Sequence, residues 1–521
     1  MAVNKIAKYL NQHLVGNVFT KASVLEPYAS DTSLLKIPPR YLALPANTKD
    51  LQKLVRSANL LAEKRLHLPL TIRGSGLDKT GAAIGPGLVV STARLNQILE
   101  IDERSRLVRV QSGVTLGRLE TALALHGLCL PVRQNPGHTI GGLIANYAFS
   151  PDGGIYNFVD RLEFVAADGS LVQTARYRRR KTRQLQKLTT FEGKLYRGLP
   201  EIIQKYSQLI QRFTAQNIDA TGYKMISQLA HGGTFDLMPL LFSSQGTLGV
   251  ITEVILACEP LPDHSARIAF SFADPKQIPA TINSLQKLKP TDLQLYDSQL
   301  FTSGKVLDFF SSEPGYILVA KFRGTKFRTH RCLKKAQKFV PTHGNILTET
   351  PQNTHLFDAI DDALVNSLNQ DTNLEQPPLL DDVRIPLAHL PNFISHLGDL
   401  SSELGLPLPL YGSPLSSTYS LRPPVRTTTV LGRKFILRFL REYAALVKTH
   451  HGSITGGSPE GRIKGIITNP TLKSNESELY HEIKALFDPY NILNPGVKLG
   501  ANLSDVVRFM RVGPNSGINP R

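Results

Sequence analysis

The sequence predicts an α+β protein of at least two domains, and three observations carry that expectation. The chain has 521 residues, whereas a single hydrophobic core rarely grows past ~250–300. Segments with apolar residues at helical spacing alternate with short β-like apolar runs bounded by Gly and Pro. The composition shifts after Pro260-Leu261-Pro262, which marks a domain boundary.

Taken in order, the start MAVNKIAKYLNQHLVGNVF reads as a short amphipathic helix with Ile6, Leu10 and Leu14 on one side. Polar residues interrupt its apolar ones, so it is not read as a secretory signal. Asn47–Lys64 is a helix with an Asn or Thr cap. Leu68–Ile72, Leu88–Ser91 and Leu107–Gln111 are strands, with a Gly-rich loop, Arg73–Gly87, after the first of them. Gly117–His126 is helical and is followed by a long Gly/Pro/Asn loop through Asp160. Leu162–Ala167 is a strand that ends in the turn signal Asp168-Gly169. The region 190–236 is mostly helical, and Gly249–Cys258 is a β-branched strand. Beyond 260, helices such as Pro275–Lys287 and Thr329–Phe339 alternate with strands such as Tyr316–Phe322, as in an α+β domain. Residues 501–521 read as a loosely attached polar tail.

Composition excludes several classes. With 41% hydrophobic and 20% charged residues, the chain is too apolar to be disordered throughout. Its most apolar stretch, Gly249–Ala257, is half the length of a membrane span and carries a Glu. The widely separated Cys129, Cys258 and Cys332 suggest reduced thiols in the cytoplasm and offer no cluster for zinc or iron–sulfur. Sixty Lys and Arg against 42 Asp and Glu give a net charge of +18. Such a charge suits nucleic acid, an anionic membrane or an anionic ligand, or serves solubility alone. Its densest run, Arg176–Arg183, reads as a solvated loop or as a docking patch for the inner face of a membrane. No basic-aromatic interleaving supports a nucleic-acid partner.

The informative segments are rich in glycine. Arg73–Gly85 (RGSGLDKTGAAIG) lacks the spacing of a dinucleotide fingerprint and the Lys-Ser/Thr of a P-loop. Its bare backbone N–H groups could still converge on phosphate oxygens, although a tight turn explains it equally well. Pro136–Asn146 (PGHTIGGLIAN) supplies a second such loop, able to grip the other end of a pyrophosphate. Leu241–Glu253 (LFSSQGTLGVITE) ends in a strand whose backbone could lie along a flat ligand.

The order of these segments resembles the FAD-linked oxidases, with their PCMH-type FAD-binding domain, in the branch of D-lactate dehydrogenase and the glycolate oxidase catalytic subunit. Tyr28-x-x-Asp31-x-Ser33, Ser112-Gly113-Val114, Ala167-Asp168-Gly169, Thr221-Gly222-Tyr223, Phe487-Asp488-Pro489 and Asn491–Gly496 (NILNPG) extend the likeness over residues 20–500. The resemblance implies a two-subdomain FAD domain over 1–260 and an α+β cap, or substrate, domain with an antiparallel sheet over 261–482. A return at 483–500 and the tail complete the chain. It also implies FAD as cofactor, bound non-covalently because the first loop has no flavin-attaching His. Carried over residue by residue, the cofactor set is Arg73, Gly74, Ser75, Gly76, Leu77, Pro136, Thr139, Gly141, Gly142, Ala145, Asn146, Gly246, Thr247, Gly249, Val250, Ile251 and Asn494.

The chain departs from the family pattern where the chemistry lies. Hydroxyls usual in the first loop are replaced by Leu77 and Asp78, and that carboxylate must point away from a diphosphate or be paired, with Lys79 the nearest cation. The usual Glu of the third loop is Gln245. The two metal-binding histidines are Ser413 and Ser420, so no metal is expected. The Glu-His of the family's proton-accepting segment becomes Gly457-Ser458. His450, His451, Tyr419 and Glu460 are the candidate substitutes, and Arg384, Arg422 and Arg462 the candidates for holding a substrate carboxylate. The expected activity is metal-independent hydride transfer from a small 2-hydroxy acid to FAD and onward to an acceptor that no residue identifies. The alternative is an inactive flavin-binding or apo member with a docking role.

Overall fold

The computed structural model describes residues 2–146, 155–215, 219–301, 314–339, 345–361 and 375–512. They form two units, the first comprising Met1–Pro260 and Ser458–Arg511, the second Leu261–Gly457.

In the first unit, helix α1 (Ala2–His13) buries Leu10 in a core on which Ile6 and Leu14 pack. Strands β1 (Asn17–Phe19), β2 (Tyr41–Leu44), β3 (Leu70–Arg73) and β4 (Leu88–Ser91) form a sheet of order β1-β2-β4-β3, with β4 parallel to both β2 and β3. Between β2 and β3 runs α2 (Thr48–Glu63). It starts where the Asn47 side chain accepts from the Asp50 N–H at 3.0 Å, and its Leu51, Leu54, Val55 and Ala58 join the same core.

A second core belongs to an antiparallel sheet of order β5-β6-β9-β7-β8. Its strands are β5 (Ile98–Asp102), β6 (Leu107–Gln111), β7 (Val159–Val165), β8 (Leu171–Gln173) and β9 (Val250–Ala257). Asp168-Gly169 turns β7 into β8, with Gly169 at φ 84°. Helices α3 (Leu116–Leu125), α4 (Ile140–Ala145), α5 (Arg179–Gln186) and α6 (Phe191–Lys205) also contribute to this core.

The second unit has a seven-stranded antiparallel sheet of order β13-β10-β12-β11-β15-β16-β14. Its strands are β10 (His264–Phe272), β11 (Asp292–Asp297), β12 (Tyr316–Gly324), β13 (Ile346–Thr348), β14 (Val383–Arg384), β15 (Leu410–Ser413) and β16 (Thr418–Leu421). Helices α7 (Lys326–Ala336), α8 (Leu390–Leu404) and α9 (Val430–Thr449) accompany it.

Several elements differ from the sequence reading. The chain re-enters the first unit at Ser458, not 483, because α10 (Ser474–Phe487) buries Leu479, Tyr480, Ile483 and Phe487 in that unit's core. Arg176–Arg183 is not a loop: α5 begins at Arg179 and anchors itself through buried Thr182 and Leu185. The region 190–236 is not helical to its end, since Ala230–His231 and Thr234–Phe235 pair around Gly232-Gly233. Within the expected tail, α11 (Leu503–Phe509) buries Val506, and Met510 pairs with Leu35. Residues 513–521 lie outside the described residues. No described helix is long and apolar enough to cross a membrane.

Candidate functional site

The three glycine-rich segments converge on one groove in the first unit. Gly74, Ser75, Gly76 and Leu77 line it from the first loop, Thr139, Gly141, Gly142, Ala145 and Asn146 from the second, and Gly246, Gly249 and Ile251 from the third. Thr139 caps α4 by accepting from the Gly142 N–H at 3.3 Å. The glycines let these walls close: a Cβ on Gly74 would stand 2.2 Å from Thr139 Oγ1, and one on Gly141 2.8 Å from Ser112 Cβ. Ser112, outside the expected set, also lines the groove. Its Oγ is buried with no hydrogen-bond partner among the described residues. A buried hydroxyl left without a partner in a groove of bare backbone suits a polar ligand such as a dinucleotide. The signal for it was the Ser112-Gly113-Val114 match. His138 and Ser244, inside the second and third glycine-rich segments but outside the expected set, line the groove too.

Other expected cofactor residues support the groove from behind. The Arg73 guanidinium donates to the Ser30 and Ala83 carbonyls at 2.8 and 3.3 Å and lies over the Tyr28 ring. It stands under Gly76, where a Cβ would be 2.3 Å from its Nη2. Asn494 donates to the Ala82 and Gln245 carbonyls, both at 2.8 Å. Thr247 bonds Tyr223 Oη and the Ser244 carbonyl. The Pro136 carbonyl accepts from Gly117 N–H, and Val250 is core. Arg462, expected at a substrate carboxylate, donates to the Gly81, Pro495 and Ile84 carbonyls at 3.0–3.2 Å.

Two departures from the family pattern are resolved by hydrogen bonding. Asp78 folds back on its own loop, accepting from the Thr80 N–H, Thr80 Oγ1 and the Ala82 N–H at 2.8–3.0 Å. Gln245, at φ 51°, donates from Nε2 to Thr80 Oγ1 and Asn146 Oδ1 at 3.0 and 3.2 Å, while its Oε1 accepts from the Gly461 N–H at 2.8 Å. One amide thus ties all three loops to the returning chain, and a carboxylate could not make the donations.

Asp31 beneath the first loop gives a pH prediction. Burial, helped by the Asp78 charge, pushes its carboxyl up to about 7, against its bonds from Ser33 and the pull of Arg73. The folded chain therefore keeps a proton that the unfolded chain releases near pH 4, and stability falls as pH rises from about 4 to about 7. Asp31→Asn should flatten that fall in thermal unfolding between pH 5 and 8; an unchanged slope would show the proton to be elsewhere.

The second unit contributes a polar sheet face. Cα pairs Arg384↔Thr418, Ser413↔Thr418 and Tyr411↔Ser420 put these side chains in one phase of β14, β15 and β16. Arg422 follows in the same phase, its Nε donating to Tyr411 Oη at 3.1 Å and its Nη2 pairing with Asp381 at 2.7 Å. Arg384 Nη2 donates to the Gly456 carbonyl at 3.1 Å. Ser420, at the second metal-histidine position, receives the Asp382 N–H at 2.9 Å and donates to Asp382 Oδ1 at 3.2 Å. Tyr411 was not singled out from sequence, because only the pairing of β15 with β16 brings it to Arg422.

The four candidate bases do not meet on this face. Tyr419 points to the other side of β16, fully buried, its phenol raised by burial and without a hydrogen-bond partner among the described residues. Buried His450 ends α9, with Nε2 3.0 Å from His396 Nδ1 on α8. Burial and then the neighbouring imidazoles lower its pKa. The His451 ring lies 4.8 Å from that of His389. Glu460 belongs to the first unit, bonded to the Gly222 N–H and paired with Lys498 at 2.5 Å.

Comparison with known proteins gives the lineage. Residues 39–175 match the family of FAD binding domains, and residues 261–497 that of the C-terminal domains of FAD linked oxidases. The chain belongs to the FAD-linked oxidases. Glycolate oxidase subunit GlcD of Bacillus subtilis is 25% identical over 88% of this chain and 88% of its own length. D-lactate dehydrogenase of Archaeoglobus fulgidus is 25% identical over 87% of this chain and 89% of its own. D-2-hydroxyglutarate dehydrogenase of Pseudomonas putida is 25% identical over 90% of this chain, which spans only about half (49%) of that relative. Among solved structures, 4-ethylphenol oxidase from Gulosibacter chungangensis (TM-score 0.70, 14% identity, 95% of this chain and 96% of that one) and p-cresol methylhydroxylase (0.69, 14%, 96% and 97%) share the fold. FAD is the cofactor of this oxidase, and the groove's glycines, Ser112 Oγ and Thr139 are the groups that would hold it.

Proposed function

We propose that this FAD-linked oxidase oxidises a small 2-hydroxy acid without a metal ion. The observation that carries the reading is the face shared by Arg384, Arg422 and Tyr411. When bound, FAD accepts the hydride. Arg384 and Arg422 hold the substrate carboxylate, a task that the planar guanidinium suits. Tyr411 Oη, which accepts from Arg422 Nε at 3.1 Å, takes the hydroxyl proton. Ser420, engaged with Asp382, takes no part as a metal ligand. The relatives named for glycolate, D-lactate and D-2-hydroxyglutarate support the substrate class.

The test is anaerobic addition of glycolate, D-lactate or D-2-hydroxyglutarate to the purified yellow protein, with bleaching of the flavin band as the expected result. A second reading, a flavin protein without turnover, is favoured by Ser458, whose Oγ accepts from Lys464 Nζ at 2.8 Å where the family pattern has its histidine. A yellow protein that none of these acids bleaches would decide for it. Arg384→Met is expected to raise KM for the acid at least ~30-fold, the loss of about 2 kcal/mol of charged hydrogen bonding; an unchanged KM would remove Arg384 from the site. The flavin is held non-covalently, so acid precipitation should leave it in the supernatant. Flavin retained on the denatured chain would implicate His138, the histidine lining the groove.

A further inference from the structure

The second unit carries a cationic surface that neither the flavin groove nor the substrate reading uses. Helix α7 (KFRTHRCLKKA) has no acidic residue. Its inner side is fixed by buried Thr329 and Ala336, with Thr329 Oγ1 2.9 Å from His264 Nδ1 on β10. Opposite that side, Phe327, Arg331 and Lys334 follow at i, i+4 and i+7, with Lys335 and Arg328 on the flank and Lys338 in the turn just past the helix end. All are exposed, Phe327 to 77%. None of these cations forms an ion pair with a described residue.

Helix stability does not account for the stripe as a whole. Like charges at i, i+3 and i, i+4 repel, and Lys326 and Arg328 in the first turn oppose the helix dipole, which only Lys334 and Lys335 in the last turn complement. An element that gathers destabilising charge, leaves it unpaired and adds an exposed phenyl ring is matched to something outside the chain. A line of cations from Arg331 to Lys338, ~10 Å long at 1.5 Å per residue, with Phe327 one turn ahead of it, fits a planar anionic surface. Phe327 in the same line selects among such surfaces. A bilayer sets phosphates beside an apolar layer, whereas a nucleic-acid duplex offers phosphates with no such layer. The combination is that of a helix lying in the membrane interface. Helix α5 is also cationic but has no exposed aromatic side chain.

We propose that the outer face of α7 docks this oxidase on an anionic phospholipid bilayer, with its cations at the headgroups and the Phe327 ring below them.

The experiment is co-sedimentation of the flavin-loaded full chain with phosphatidylcholine vesicles, with and without phosphatidylglycerol. Wild type should pellet only with the anionic vesicles, and added salt should release it. Neutralising Arg331, Lys334 and Lys338 together to Gln should lower partitioning about 100-fold, near fivefold per cation. Phe327→Ser, with the charge intact, should lower it about tenfold. Flavin absorbance should be unchanged in both variants, since the exchanged side chains are exposed. Neutralising Arg179, Arg180 and Arg183 on α5 should matter less than threefold. The proposal fails if wild type does not pellet with anionic vesicles, or if the triple variant pellets like wild type. It also fails if the α5 exchange alone abolishes binding, or if the triple variant loses binding to duplex DNA or an acidic peptide while its vesicle binding is unchanged.

Discussion

Replacing Lys498 by methionine is expected to lower the unfolding free energy of the flavin-binding unit by about 3–5 kcal/mol. Lys498 and Glu460 are 0% and 2% exposed at the side chain, and their N–O distance is 2.5 Å. Burial lowers the Lys498 pKa, and the Glu460 carboxylate is the first of the groups that oppose that shift. The ammonium also donates to the Ala220 carbonyl at 3.0 Å, and Glu460 accepts from the Gly222 N–H. Methionine fills the space but leaves a carboxylate in the interior with its countercharge gone, which is the expensive half of a buried pair. Adding Glu460→Gln removes that charge and keeps an oxygen for the Gly222 N–H, so the double variant should recover most of the loss. Urea unfolding of the three proteins checks this. A double variant no more stable than Lys498→Met would mean that the loss comes from packing and not from the orphaned charge.

That pair shows where sequence reading ends. The glycine-rich segments at 73–85, 136–146 and 241–253 were legible because a bare backbone is a local property, written in the residues themselves, and the structure brings them to one groove. Charged side chains are different, since their roles depend on what long-range pairing sets opposite them. Glu460, a candidate base by position, is committed to Lys498; Arg462, a candidate carboxylate ligand, is committed to three carbonyls. Conversely, Tyr411 meets Arg422 only because β15 pairs with β16 and sets its phenol against the guanidinium. Helix α5 was hidden because its only buried residues, Thr182 and Leu185, are too few to show a period among so many cations. The hairpin at 230–235 was hidden because each strand is two residues long.

Gly74→Val should lower FAD affinity at least ~100-fold, about 3 kcal/mol, measured by titrating apoprotein with FAD and following flavin fluorescence. Carbon and oxygen atoms rest at about 3.5 Å, yet a Cβ on Gly74 would lie 2.2 Å from Thr139 Oγ1 and 3.3 Å from Thr139 Cβ. The obstacle is no flexible tip. Thr139 Oγ1 caps α4 through Gly142 N–H, so relief requires either uncapping that helix or drawing the first loop away from the second. Both outcomes separate the two walls that grip the cofactor, and neither disturbs the core beneath, so the apoprotein should stay folded. Gly398 supplies the control. A Cβ there meets nothing within 4 Å, and it lies inside α8, where alanine is a better helix former. Gly398→Ala should therefore leave FAD affinity unchanged and add about 0.5–1 kcal/mol to stability. Should Gly74→Val bind FAD within threefold of wild type, the close approach of the first two loops would not be what holds the flavin. Ser112 Oγ and the third loop would then have to carry the binding.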